Sequence, residues 1–198
     1  MPPEERTEGL ILAAGAGTRF GDQPKQLADL EGRPLLEWAV AAQCAVPALG
    51  RVVVVLGSHA EAIGAAVDFG RAETVVCPAW MSGQSASLRC GLDALDGATR
   101  VVVTLGDAPL VTPAVIALFA ARPAGTRAVY HGRPGHPVVL GAEQLAALAA
   151  MRGDQGARGL LRDAPTLEVG HLCPGLDVDT PEDLAAVRAA ARGQAPAG

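Results

Sequence analysis

Leu10 to Leu27 reads LILAAGAGTRFGDQPKQL, and the fold turns on how its break from apolar to glycine-rich is read. An apolar run ending in small residues predicts a buried strand that feeds a sharp turn. Glycines there let backbone N–H groups approach a bulky anion closely. Arg19 and Lys25 follow within a short distance, so the turn is predicted to hold phosphate. Two better-known glycine loops do not match. The Walker pattern needs Lys followed by Ser or Thr to hold magnesium, whereas Lys25 stands between Pro24 and Gln26. The dinucleotide fingerprint needs a third glycine three residues after the second, but Phe20 occupies that place after Gly17 and Gly21 comes one residue late. What remains is a glycine corner with two cations downstream, a layout suited to a triphosphate lying across the end of a strand.

Outward from that corner, short valine-rich strands alternate with alanine-rich segments of helical period, the pattern of βαβ units in a mainly parallel sheet. Pro34 suits the first turn of a helix through Leu35, Leu36, Val40 and Ala41, with Trp38 in the core. Arg51–Leu56 reads as a fully buried strand, with Gly57 and Ser58 opening a helix containing Ile63 and Val67. Thr74–Cys77 is a short strand leading to Pro78 and Trp80. In the following MSGQSASLRCGL, Ser85 or Ser87 can cap a helix carrying Leu88, Leu92 and Leu95. Arg100–Leu105 is a strand that stops at Gly106 and Asp107, and Thr112 with Pro113 opens the next helix. Strands at 128–130 and 137–140 suggest a small antiparallel insertion. Residues 144–151 read as helical, Gly153–Leu161 as a loop entering a short helix, and Thr166–Val169 as an edge strand. A last strand runs into Asp177 and Asp179, and Pro181 starts an amphipathic helix through Leu184 and Val187. One domain is expected over residues 9–190, between a flexible start (1–8) and a disordered tail (191–198).

Composition narrows the function classes. A chain of 198 residues can bury a substantial single core. Its net charge of −5, with scattered basic residues, argues against a nucleic-acid surface. Runs such as Val101–Leu105 are too short to cross a bilayer, and no cationic start precedes a secretory core, so a cytoplasmic protein is expected. Cys44, Cys77, Cys90 and Cys173 lie far apart without paired spacing, so free thiols in the core are expected rather than zinc or a redox dithiol.

Ligands of open parallel sheets bind outside the carboxyl ends of the strands, and Asp107 and Asp179 both fall at such ends. Hard oxygen ligands there suit Mg2+, which takes one or two carboxylates and completes its shell with water and substrate phosphate. Each aspartate also suits a plainer task, Asp107 in a turn before Pro109 and Asp179 as the cap of the helix at Pro181. Period-two alternation puts Asp177 and Asp179 on one side and does not choose between them.

LAAGAGTRFG followed by PK resembles the signature of the Rossmann-like nucleotidyltransferases that activate sugars, isoprenoid precursors and molybdopterin. LGDAPLVTP (105–113) and LDVDTPEDL (176–184) resemble that family's two metal-binding segments, and the likeness favours Asp179 beside Asp107. The resemblance implies a single-domain, three-layer nucleotidyltransferase fold of Rossmann-like type. It implies that Leu12, Ala13, Ala14, Gly15, Gly17, Thr18 and Gly106 meet the nucleotide, with base and ribose on backbone groups of 13–15. Trp80–Gly91 resembles the base-binding part of the cytidylyl members, making Ser87 the reader of the pyrimidine edge, with Gly83, Gln84 and Ser85 lining the approach. GRPGHPVVL (132–140) and GDQGARGLL (153–161) resemble the molybdopterin-activating branch, where they line the acceptor side and place His136, Asp154 and Arg158 near the substrate. Ala16 departs from the Arg or Ser often found after the first glycine in that branch, which bears on the acceptor more than on the reaction.

The implied activity is transfer of CMP from CTP to a phosphate monoester, most simply that of molybdopterin, with release of pyrophosphate; a molybdenum hydroxylase is the implied protein partner. An ionised phosphate monoester needs no general base. Arg19 and Lys25 would hold the β- and γ-phosphates, with Asp107 and Asp179 on Mg2+. Three alternatives stand beside it: guanylyl or cytidylyl transfer to another phosphorylated acceptor, an NAD(P)-dependent oxidoreductase, and a nucleotide-sensing partner that does not turn over.

Overall fold

The computed structural model describes residues 6–21, 23–150 and 164–193. Seven strands form one twisted sheet. β1 (Thr7–Ala13), β4 (Leu49–Leu56), β5 (Glu73–Val76) and β6 (Arg100–Leu105) are its parallel part. β7 (Arg127–Tyr130), β8 (Arg133–Gly141) and β9 (Thr166–Glu168) complete the order β5-β4-β1-β6-β8-β7-β9. β8 alone runs antiparallel to its neighbours β6 and β7, which is the expected antiparallel insertion. A separate two-stranded hairpin, β2 (Asp29–Leu30) with β3 (Arg33–Pro34), follows the glycine corner.

The strands are continuous apolar runs because helices cover both faces. On β1, Ile11 and Ala13 face one layer, packing with Val52 and Val54 of β4 against α1 (Leu35–Cys44), α2 (Ala60–Ala66) and α4 (Pro113–Ala120). Leu10 and Leu12 face the other with Val53, Val55 and Val103, against α3 (Gln84–Ala94) and α5 (Ala142–Ala150). Side-chain alternation along one strand thus feeds two cores. A smaller cluster of Leu30, Leu35, Leu110 and Val178 anchors α6 (Pro181–Gly193) through Leu184 and Val187. The result is the expected three-layer α/β fold. Among the described residues, no helix is long and apolar enough to cross a membrane.

After β1 the chain builds outward through β4 and β5, then returns to lay β6 on the other side of β1. The connections leaving β1 and β6 therefore diverge and open a crevice at their carboxyl ends.

Several boundaries differ from the sequence reading. β1 starts at Thr7 rather than after residue 8, because the buried Glu8 carboxylate accepts the Arg51 N–H. α6 runs to Gly193, past 190, because Ala190 and Ala191 pack on its cluster. α3 is capped by neither Ser85 nor Ser87. Its N-cap is Gly83 at φ 102°, a conformation that glycine takes freely, and both serines are buried inside the helix. α2 begins after His59 rather than at Gly57–Ser58, and Pro34 is the N-cap of α1 rather than its first residue. Residues 174–178 form no strand: Pro174 and Gly175, the latter at φ 59°, break the ladder, leaving one bond from Val178 N–H to Asp107 C=O. Trp38 is half-buried, its indole N–H donating to Leu30 C=O and its ring under Arg33. All four cysteines are free, with Cys77 and Cys173 buried and Cys44 and Cys90 only half-buried. The segment read as a loop and short helix at 153–161, with Asp154 and Arg158, lies outside the described residues, as does 194–198.

Candidate active site

The crevice at the ends of β1 and β6 holds a cavity of about 240 Å³ lined by Leu12, Ala13, Gly15, Gly17, Thr18, Arg19, Lys25, Gln26, Gly106, Asp107 and Asp179. Three chain segments far apart in sequence meet there. The first is the glycine corner with the short 3-10 turn Lys25–Leu27, the second is the end of β6, and the third is the stretch before α6.

Lys25 is the centre of this site. Only 7% exposed, it places Nζ 2.5 Å from Asp107 Oδ2 and 2.9 Å from Asp179 Oδ1. Burial presses its ammonium toward the neutral form, but the Asp107 charge and hydrogen bond, then those of Asp179, outweigh it and leave the pKa above the usual lysine value. The other oxygen of Asp179 accepts from Arg19 at 2.7 Å. Burial raises the Asp179 carboxyl, yet Lys25 first and Arg19 second hold it below the usual range. Asp183 fixes the segment behind it, its Oδ2 accepting from Asp179 N–H at 3.0 Å and Thr180 N–H at 2.8 Å. The second oxygen of Asp107, Oδ1, is buried without a hydrogen-bond partner.

Glycine serves two different purposes at this corner. Gly17 sits at φ 62°, and a Cβ there would press on the Lys25 stem at 3.1 Å, so it both turns the chain and lets the lysine lie across it. At Gly15 a Cβ would meet nothing within 4 Å. Packing among the described residues does not require glycine there, and the space beside its backbone is open. Gly106 is a packing glycine, where a Cβ would strike Leu36 Cδ1 at 2.7 Å and Ala13 Cβ at 2.8 Å.

Other expected residues lie elsewhere. Ala14 is buried, and its carbonyl accepts from Ser58 N–H at 3.0 Å rather than facing the cavity. Gly83, Ser85 and Ser87 are not in its wall. They sit at the start of α3, after a turn whose Trp80 crowds Gly57 beside Ala14 C=O. His136 lines a second cavity, of about 490 Å³, together with Tyr130, His131, Arg133 and Asp177. Burial, and then the charge of Arg127, lower the His136 pKa to about 4. In that cavity partial desolvation, then the charges of Asp107 and Asp179, push the Asp177 carboxyl above its usual range although its surface is exposed. The two aspartates part in space: Asp179 shares Lys25 with Asp107, and Asp177 lines the neighbouring cavity. Gln26 went unnoticed in the sequence, where it reads as an ordinary residue of a short turn.

The family model for the MobA-like NTP transferase domain matches residues 9–169, most of the chain. The chain belongs to that family. Among curated relatives, it is 35% identical to the nicotine blue oxidoreductase of Paenarthrobacter nicotinovorans over 191 residues, covering 89% of this chain and 93% of that protein. It is 40% identical over 118 residues to the 2-C-methyl-D-erythritol 4-phosphate cytidylyltransferase of Cereibacter sphaeroides, covering 56% of this chain and 51% of that enzyme. Among solved structures, the homologue of Mycobacterium tuberculosis Rv0371c from Mycobacterium sp. strain JC1 superposes with a TM-score of 0.80 at 28% identity, over 96% of this chain and 99% of that one. The Mycobacterium tuberculosis protein itself, solved as a manganese complex, superposes at 0.70 and 28% identity, over 93% of this chain and 98% of that one. As a family member the chain is an enzyme of the nucleotidyltransferase class.

Proposed function

We propose that this NTP transferase moves CMP from CTP to a phosphate monoester of molybdopterin type and releases pyrophosphate. The observation that carries the reading is the buried Lys25 ammonium, shared by two acids beside a glycine whose missing side chain opens the corner. In the proposed reaction an oxygen of the acceptor phosphate attacks the α-phosphorus of CTP, the bond to the β-phosphate breaks, and pyrophosphate leaves with the electron pair. The acceptor has a second pKa near ~6 and attacks in its ionised form. No residue needs to remove a proton.

The chain's task is then alignment and charge neutralisation. Leu12, Ala13, Gly15, Gly17 and Thr18 would receive the nucleotide on backbone groups, with Ala14 holding the corner from behind. Lys25 and Arg19, both in the cavity wall, would meet the β- and γ-phosphates and stabilise charge on the departing pyrophosphate. Asp107, through its unpaired Oδ1, and Asp179 have the hard oxygen donors that suit Mg2+. When bound, that ion would neutralise charge at the α-phosphate. Gly83, Ser85 and Ser87 would approach the base from the start of α3. The acceptor would enter through the second cavity, whose Ala108 directly follows Asp107 and whose wall carries His136 and Arg133. Asp154 and Arg158 are proposed for the same side. One catalytic domain running from β1 through α6 is proposed, a molybdenum hydroxylase is a proposed partner, and the cytoplasm is the proposed location.

The test incubates the protein with each triphosphate in turn, Mg2+ and molybdopterin, and follows pyrophosphate. CTP should support release that depends on acceptor. Release with GTP alone would move the reading to guanylyl transfer, and release only with an isoprenoid phosphate acceptor would move it to that substrate. A second reading, NAD(P)-dependent oxidoreductase, draws on the name of the 35% identical relative. NADPH binding without pyrophosphate release from any triphosphate would favour it.

A further inference from the structure

We infer that Gln26 is a positioning residue that holds the glycine corner in the shape that receives the triphosphate. This rests on the triphosphate reading above. Gln26 is 2% exposed, in the short turn that also carries Lys25. Its Nε2 donates to two backbone carbonyls, Ala13 C=O at 3.1 Å and Gly15 C=O at 3.0 Å. Those carbonyls lie on either side of the point where β1 stops and the corner begins. The carbonyls between and before them are held from other directions, Ala14 C=O by Ser58 N–H at 3.0 Å and Leu12 C=O by Gly106 N–H at 2.9 Å. Four successive peptide units are therefore tied down, two of them by one side chain.

The consequence follows from peptide geometry. In a trans peptide the N–H points opposite to the C=O, and the unit turns as a plane. Fixing Gly15 C=O on Gln26 aims the Ala16 N–H away from Gln26, and fixing Ala13 C=O does the same for Ala14. Without the amide, both planes lose that restraint, the Gly15–Ala16 plane beyond the end of β1 most of all, and any N–H groups there that meet phosphate lose alignment. The arrangement has a cost: Gln26 Oε1 is buried with no partner, a defect that folding alone does not favour. An apolar side chain of similar size would remove that defect while losing the clamp and leaving Ala13 and Gly15 C=O without this donor, so the two effects on stability partly offset. Stability and ligand binding are then expected to respond differently to the same substitution.

Gln26→Met and Gln26→Glu test this. The first removes the donors and the orphan acceptor together, and the second puts a carboxylate against two carbonyls. In Gln26→Met, amide hydrogen exchange of the segment 13–18 should quicken at least tenfold while α4 exchanges as before. CTP with Mg2+ should bind at least tenfold more weakly, with KM for CTP rising and KM for the acceptor changing less than twofold. Thermal midpoints should stay within about 5 °C of the parent. Gln26→Glu should bind CTP no better than Gln26→Met. Unchanged exchange at 13–18, CTP affinity within threefold of the parent in either folded variant, or loss of the folded state in both would each overturn the proposal. If the unmodified protein binds no triphosphate, the functional reading fails with it, and the exchange rates still report whether the clamp exists.

Discussion

Replacing Lys25 by Met removes one positive charge and leaves the stem that crosses Gly17. At contact distances of 2.5 and 2.9 Å, Coulomb attraction to each carboxylate is on the order of 6 kcal/mol at an effective dielectric of ~20. Desolvation of the buried ammonium offsets much of that. Asp179 is more than a third exposed and retains Arg19, so its share is discounted further. The net loss of stability should be about 1–3 kcal/mol, read as a lower urea midpoint with an unchanged slope. Catalysis should suffer more. If Lys25 meets the departing phosphates, its loss removes about 3 kcal/mol or more of transition-state stabilisation, roughly a hundredfold in kcat/KM for CTP. Binding of Mn2+ in the absence of nucleotide should move the other way, tightening at least tenfold, because two acids lose the internal cation that they share. The assays are pyrophosphate release and Mn2+ titration. A kcat/KM within a few-fold of the parent would refute the role of Lys25, and unchanged Mn2+ affinity would refute the claim that Asp107 and Asp179 face one cation.

The remaining predictions separate packing from function. Gly15→Ala adds a methyl group into open space, so the free protein should keep or slightly gain stability, by up to about 1 kcal/mol, while CTP affinity drops at least tenfold in a binding titration. Gly91→Ala does the reverse. Its Cβ would lie 2.4 Å from Leu10 Cδ1 and 2.6 Å from Val55 Cγ2, so α3 must lift from the sheet at a cost of about 1–3 kcal/mol in denaturation. His136 sets an acid limit. Its pKa falls from 6.5 to about 4 on folding, so between those values the unfolded chain binds the proton and the native one does not. Stability from this group is complete above pH 6.5 and is lost as pH falls toward 4. Gln in its place should remove that part of the pH dependence of Tm, and an unaltered profile would show that the imidazole is not held neutral.

Legibility in the sequence followed locality. β4 and β6 were readable as valine runs because helices bury both their faces, and Thr112–Pro113 was readable because cap and first turn are neighbours, with Thr112 accepting from Val115 N–H. The alternation in LDVD imitated a strand, yet the Pro174 and Gly175 before it deny the backbone a ladder, and one backbone bond, Val178 N–H to Asp107 C=O, joins the segment to the end of β6. Ser85 and Ser87 suited a cap equally well on paper. Only the backbone at Gly83 shows that the helix starts ahead of them. Candidate acids were visible one at a time, but their meeting at Lys25 depends on the crossover that sets β6 beside β1. Gln26 was hidden for the same reason: its partners are carbonyls, which carry no mark in a sequence.

The most direct measurement is electron paramagnetic resonance of Mn2+ added with CTP to the protein and to Asp107→Asn. The protein should show tightly bound Mn2+ with phosphorus coupling from the nucleotide, and the variant should lose it with at least hundredfold weaker ion affinity. A free-ion spectrum in the unmodified protein, or the same coupling in both, would contradict convergence of the glycine corner, Lys25 and the two acids on one triphosphate.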